Sequence, residues 1–190
     1  MNDAFHPLHD VALPTLARSL ACCRRLLARA ASDGRDEAML LAARLAPDMF
    51  CLAHQVRILA DGVGGACALL AGDREAPSAS RVFNLGDEAW LGVADTRIEQ
   101  SLARLSVAET RLAAITPAMP LPGLRDAIVV ARPGRARHFV VDDFVFRYVL
   151  PNAGFHVAMV YALLRAAGVP VGKGDFEGPP AYVLVEAGAP

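Results

Sequence analysis

Apolar residues recur at steps of three and four along most of this chain, and proline or glycine separates the recurring runs. Near the start, Leu13, Leu16 and Leu20 fall on one side of a helical wheel. The same spacing predicts four helices, over about residues 8–31, 48–71, 87–115 and 142–167. Each apolar stripe must be buried against another helix. The sequence therefore predicts one all-α domain over residues 1–190, folded as an up-and-down four-helix bundle.

Between the third and fourth predicted helices, the apolar period changes from that of a helix to that of a strand. The segments DAIVVA and RHFVVDD are rich in β-branched and aromatic residues. They flank RPGRA, in which Pro133 and Gly134 form a turn signal. We expect a small β-hairpin that packs on the helices, because a hairpin alone is marginally stable.

Proline and glycine also lie inside the predicted helices. Pro14 falls in the first turns of the first helix, where it either starts the regular part or kinks it. Pro151 predicts a kink or break in the fourth helix. Gly62 and Gly64 lie in the second helix, where glycine costs roughly 1 kcal/mol against alanine. Close approach of a neighbouring helix would recover that cost.

Composition excludes some classes of partner. The net charge is −1, so no basic field is present to attract nucleic acid. No apolar run reaches the roughly 18–20 residues of a membrane span, and MNDAFHPLHD lacks the pattern of a signal peptide. The four cysteines form no C-x-x-C pair. These features predict a cytoplasmic protein with reduced thiols, and a hydrophobic content of 54% predicts a homodimer.

Two histidines differ in the direction that the helical wheel predicts for them. His156 aligns with the apolar side of the fourth helix, so we expect it to point into the bundle, with Asn152 near it. His54 falls opposite the apolar stripe of the second helix and shares its side with Arg57 and Asp61. The wheel therefore predicts His54 to be a surface histidine.

A buried polar cluster is the candidate site, because a buried polar side chain needs a hydrogen-bond partner. Its predicted members are His9, Asp48, Gln55, Asn152 and His156. His156 is then a core histidine with a hydrogen-bond partner, a catalytic base or a contact for a small ligand. A metal site made by His9, Asp48 and His156 is the alternative. No spacing in the chain selects a Cys–His nucleophile pair.

Two segments together resemble a known bacterial family. They are RLAPDMFCLAHQVRILAD, from Arg44 to Asp61, and PNAGFHVAMVYALLRAAGVPVGKGDF, from Pro151 to Phe176. The pair resembles the domain of unknown function 1993. The resemblance implies a DinB/YfiT-like bundle of four up-and-down helices, which is often dimeric.

In that superfamily, many members bind a divalent metal through three histidines, and some are thiol-dependent transferases or hydrolases. One of those histidines lies on the second helix and an H-x-x-x-H pair lies on the fourth. Here His156 matches one of the pair, but Val160 stands in place of the other. We therefore expect an uncharacterised, soluble bacterial bundle that is non-catalytic or binds a small ligand, without a cofactor. The alternative is a metal-dependent transferase or hydrolase that uses His156 with zinc or nickel.

Overall fold

The computed structural model describes residues 5–76, 79–83, 91–132, 134–179, 182, 183 and 185. Six helices and one two-stranded sheet lie wholly within this described part. The first helix, α1, begins as a π-helix over Leu8–Ala12 and continues as an α-helix over Leu13–Ser32. The fifth, α5, likewise begins as a π-helix over Asp143–Val149 and continues over Leu150–Ala166. The other elements are α2 (Glu37–Leu41), α3 (Leu52–Leu70), a 3-10 turn (Ala79–Arg81), α4 (Ile98–Ala113), β1 (Ala127–Arg132), β2 (Arg135–Val140) and α6 (Lys173–Glu177).

Helix α3 lies at the centre of the fold. It packs against α1, α4 and α5, and also against the 3-10 turn and α2. Every residue of α3 except Arg57 and Asp61 is buried. Helix α1, by contrast, has a buried stripe and an exposed side, and it packs on α4 and α5. The protein is therefore mostly helical, as the apolar spacing predicts, and the hydrophobic core surrounds α3.

Two predicted helix boundaries were wrong. The second predicted helix starts at Leu52 rather than at Asp48, because Cys51 has an extended backbone and is the N-cap residue. The third predicted helix starts at Ile98, since residues 92–97 are irregular. Residues 87–90 of that prediction lie outside the described residues.

The β-hairpin is confirmed. Strands β1 and β2 pair antiparallel, with Ala127 opposite Val140 at the open end. Ile128 and Val130 are buried, because the hairpin packs against the π-helical part of α5 and the 3-10 turn. In the predicted turn, Gly134 has φ +77°, a conformation that favours glycine, whereas Pro133 lies outside the described residues.

Both long helices that contain an early proline remain helical through it. A proline ring in an α-helix collides with the carbonyl four residues earlier and has no N–H to donate. Directly before each proline the helix is wider, since Leu13 N–H donates to Leu8 O and Leu150 N–H donates to Val145 O. This wider π turn moves the obstructing carbonyl away. Pro14 therefore lies where the regular α-helix starts, and Pro151 does not break α5.

Candidate functional site

His156 lies in the interior of the fold and is 1% exposed. Its Nδ1 atom is 2.7 Å from Oε1 of Gln55, which is buried on α3. Because an amide oxygen only accepts, Nδ1 carries the proton and donates it to Gln55. Gln55 in turn donates from Nε2 to the carbonyl of Phe50 at 3.4 Å. This hydrogen bond links α3 to α5, and His156 points inward as the wheel predicts.

Aromatic rings enclose the imidazole of His156. The Phe83 ring is stacked on it, with centroids 5.8 Å apart and an interplanar angle of 9°. The Phe155 ring meets it edge-on at 5.2 Å. Among the described residues, no group hydrogen-bonds the Nε2 atom of His156. Burial lowers the pKa of His156 from 6.5 to about 4, because the charged imidazolium would lose its water. The ring is therefore neutral at neutral pH.

The prediction that His54 lies at the surface was wrong, since this residue is 4% exposed. The irregular segment 92–97 provides polar contacts on the face of α3 that the wheel assigned to solvent. His54 Nε2 is 3.2 Å from the carbonyl of Gly92, and Arg57 donates from Nη1 to the carbonyl of Val93 at 3.3 Å. The ring of Phe50 meets His54 edge-on. Buried histidines therefore lie on both α3 and α5.

Of the five residues predicted to form a polar cluster, the structure brings Gln55 and His156 together. Asn152 donates from Nδ2 to the carbonyl of Tyr148, one turn earlier in its own helix. His9 is half-buried near the start of α1, with its ring against that of His6 at 5.1 Å. Asp48 is exposed in the turn before α3, because the helix starts later than predicted. Ligand binding by any of these residues stays a prediction.

Within the described residues, no group of three or more histidine, cysteine, aspartate or glutamate side chains is placed to hold a metal ion. The alternative set of His9, Asp48 and His156 is therefore not brought together as a preformed group. At the position where the superfamily pattern has a second histidine on this helix, Val160 is fully buried.

All four cysteines are buried free thiols. Burial raises the pKa of Cys67 to about 12 and raises the pKa of Cys22 and Cys23 as well. A cysteine acts as a nucleophile only as the thiolate. These three thiols therefore stay protonated and behave as small apolar core residues.

Asp95 anchors the irregular segment that contacts His54. Its side chain accepts hydrogen bonds from Arg104 Nε at 2.9 Å and Nη2 at 2.8 Å, and from Ser101 Oγ at 3.0 Å. Burial alone would raise the pKa of Asp95, but the hydrogen bonds from Arg104 and Ser101 lower it overall. Asp95 is 8% exposed and negatively charged at neutral pH. It therefore ties segment 92–97 to α4.

Replacing Asp95 with alanine should lower the free energy of unfolding by about 2 kcal/mol at neutral pH, because Arg104 and Ser101 lose their buried partner. Urea denaturation measures the effect. The lowered pKa means that the carboxylate contributes fully above the unfolded pKa, near 3.9, and less as the pH falls through the folded pKa. The difference between wild type and variant should therefore shrink in acid.

The matched control for Asp95 is Glu109→Ala, which removes the ion pair between Glu109 and Arg24. That pair is partly exposed, with side chains 35% and 37% exposed. Surface pairs contribute about 0–1 kcal/mol, so this variant should remain close to wild type. Equal losses in the two variants would contradict an anchoring role for Asp95.

Comparison with solved structures identifies a similar fold. The crystal structure of a DinB family member protein from Shewanella denitrificans superposes with a TM-score of 0.73. The two chains are 25% identical, and the match covers 94% of this chain and 96% of the other. No curated protein matches the chain. In the described part of the chain, no helix has the length and apolar character to cross a membrane.

The sequence also matches a family profile over residues 8–177, from the first turn of α1 to the end of α6. This range contains the His156–Gln55 pair, the hairpin and both π turns. The chain belongs to the family described as Domain of unknown function (DUF1993).

Proposed function

We propose that this protein is a non-catalytic helical bundle in which the His156–Gln55 pair stabilises the interior, and that any binding role concerns a small ligand. The observation that carries the proposal is the enclosure of His156, which is 1% exposed and bonded to Gln55. The similarity to the DinB family member supports an up-and-down arrangement of the four long helices. We further propose a cytoplasmic bacterial homodimer, in keeping with the apolar composition.

The chemistry of His156 does not suit a general base at neutral pH. A general base must reach its substrate within hydrogen-bond distance, and its pKa works best near the operating pH. Burial lowers the pKa of His156 to about 4, and the rings of Phe83 and Phe155 lie against it. The same burial suits a neutral imidazole that donates one hydrogen bond to an amide. This contrast supports a structural role.

A metal-dependent transferase or hydrolase is the second candidate. Two observations favour it. The Nε2 atom of His156 has no hydrogen-bond partner among the described residues, and a neutral imidazole nitrogen is a common metal ligand. The second observation is the burial of His54 on α3, since the resemblance implies one histidine ligand on this helix. Zinc and nickel both accept imidazole ligands.

Metal content separates the two candidates. Protein produced without a histidine tag, dialysed and analysed for zinc and nickel by mass spectrometry should contain far less than one ion per chain. The His156→Leu variant should give the same low value, and so should His138→Leu, in which an exposed histidine of β2 is replaced. A stoichiometric ion that is lost in His156→Leu but retained in His138→Leu would overturn the proposal and establish the second candidate.

A further inference from the structure

A pocket of about 250 Å³ lies between α3 and α4, and its lining residues do not include His156 or Gln55. Ala60 and Gly64 of α3 and Ala108 of α4 contribute small residues to its lining. A Cβ atom on Gly64 would lie 3.5 Å from Cδ of Arg111 and 3.8 Å from Cα of Ala108. The small residues allow the two helices to approach closely and still leave open space beside them.

Arginine side chains form much of the rest of the lining. Arg81 comes from the 3-10 turn, and Arg104 and Arg111 come from α4. Asp61 of α3 is the acidic residue in the lining. An arginine guanidinium presents several N–H donors in a planar fork, which matches the oxygens of a phosphate. Three such side chains around one small pocket therefore favour an oxyanion.

The carboxylates near this pocket are shared or already engaged. Asp61 Oδ2 is 3.4 Å from Arg81 Nη1 and 3.8 Å from Arg57 Nε, so one carboxylate faces two arginines. Asp95 accepts from Arg104 through both of its oxygens. Among the described residues at this place, arginines 57, 81 and 104 outnumber the two aspartates with which they pair, 61 and 95.

The arginines are close enough to repel one another. Arg57 has a side chain that is 15% exposed. Burial lowers its pKa, and the positive charge of Arg104 lowers it further. Asp61 and Asp95 oppose this effect only in part, and Arg81 adds to it. A bound anion would reduce this repulsion, whereas a neutral ligand would not. The site therefore favours a negatively charged ligand.

We infer that the pocket between α3 and α4 binds the phosphate group of a small molecule. The volume of about 250 Å³ is below the roughly 300–1,000 Å³ typical of ligand sites, so the ligand is small. The net charge of −1 over the whole chain disfavours a nucleic acid as the source of the phosphate. The inference rests on the ligand-binding part of the proposed function and makes it more specific. The residues that carry it are not those of the His156–Gln55 pair. A failed phosphate titration would leave the metal-content result unaffected.

Arg81→Gln is the test variant, because Arg81 lines the pocket from a short turn and is 40% exposed. Arg24→Gln is the matched control, since Arg24 is 37% exposed and pairs with Glu109 on another face of α4. Calorimetric titration with inorganic phosphate is carried out at constant ionic strength set with chloride. Wild type and Arg24→Gln should bind phosphate with equal affinity. Arg81→Gln should bind it about tenfold more weakly, and Arg81→Lys should fall between, because lysine keeps the charge and loses the fork.

The same titration identifies the source of the phosphate. Tighter binding of glycerol 3-phosphate than of inorganic phosphate would indicate a phosphorylated metabolite, and the reverse would indicate the free ion. Three results would overturn the inference. They are no saturable binding of either compound by the wild type, equal weakening in Arg81→Gln and Arg24→Gln, and equal binding of acetate. A cooperative urea transition for each variant shows that it is folded.

Discussion

The Phe83→Ala variant should lose about 3–5 kcal/mol of unfolding free energy, which is the usual cost of truncating a buried aromatic side chain to alanine. Phe83 is 2% exposed, and its ring stacks on His156 and meets Tyr148 edge-on. The ring also lies over Gly62 of α3, where the absence of a Cβ atom allows it to approach. Urea denaturation at neutral pH measures the loss.

The effect of Gly62→Ala should change sign when Phe83 is removed. A Cβ atom on Gly62 would lie 2.6 Å from two carbons of the Phe83 ring, and the enclosed ring has no exposed side toward which to move. In the wild type, this overpacking should cost roughly 1–3 kcal/mol. In the Phe83→Ala background, the same change should instead stabilise by up to about 1 kcal/mol, because alanine favours a helix over glycine.

Gly64→Ala is the matched control, on the same helix and also buried. Its added Cβ atom would have no neighbour nearer than 3.5 Å, which is an ordinary contact. The variant should be stabilised by up to about 1 kcal/mol in both backgrounds. If Gly62→Ala stabilised the wild type as much as Gly64→Ala does, the close packing of Phe83 on α3 would be refuted.

The pH dependence of stability should carry a contribution from His156. The folded state holds this residue neutral down to a pKa of about 4, whereas the unfolded chain binds the proton near 6.5. Between those values the unfolded state binds more protons, so stability rises with pH. The neutral imidazole therefore makes its full contribution to the free energy of unfolding above about pH 6.5. About 3 kcal/mol of that free energy is lost as the pH falls toward 4.

Chemical denaturation at several pH values compares wild type with His156→Leu. The variant should be less stable at neutral pH by about 1–3 kcal/mol, because Gln55 loses its donor. It should also lack the steep loss of stability between pH 6.5 and 4 that is expected for the wild type. His138→Gln, an exposed change on β2, should keep the wild-type profile. An unchanged slope in His156→Leu would show that the imidazole is not held neutral in the interior.

Much of the fold follows from short-range periodicity. The stripes on α1 and α4 predict helices because three- and four-residue spacing places their leucines on one side. The hairpin follows from β-branched runs on either side of a turn signal. Boundaries depend on finer details. The apolar spacing predicts Asp48 inside a helix, whereas the chain is extended at Cys51 and the helix begins at Leu52.

The position of His54 could not be predicted from its own helix. A helical wheel assumes that the polar side of a helix meets water, and Arg57 and Asp61 mark such a side on α3. The irregular segment 92–97 places the carbonyls of Gly92 and Val93 against that side instead. No periodic pattern identifies a loop of this kind. Gln55 and His156, by contrast, are both predicted members of the buried polar cluster, and their contact depends on how the two helices align.

The burial of α3 on nearly every side constrains how this chain can diverge over evolutionary time. A helix with one solvent-facing side, such as α1, accumulates neutral substitutions at regular intervals, because half of its positions contact little. Helix α3 lacks such a side, since its two incompletely buried residues, Arg57 and Asp61, pair with each other. Related chains should therefore drift apart quickly along α1 and slowly along α3, so the central helix retains ancestral residues whether or not they have a chemical role.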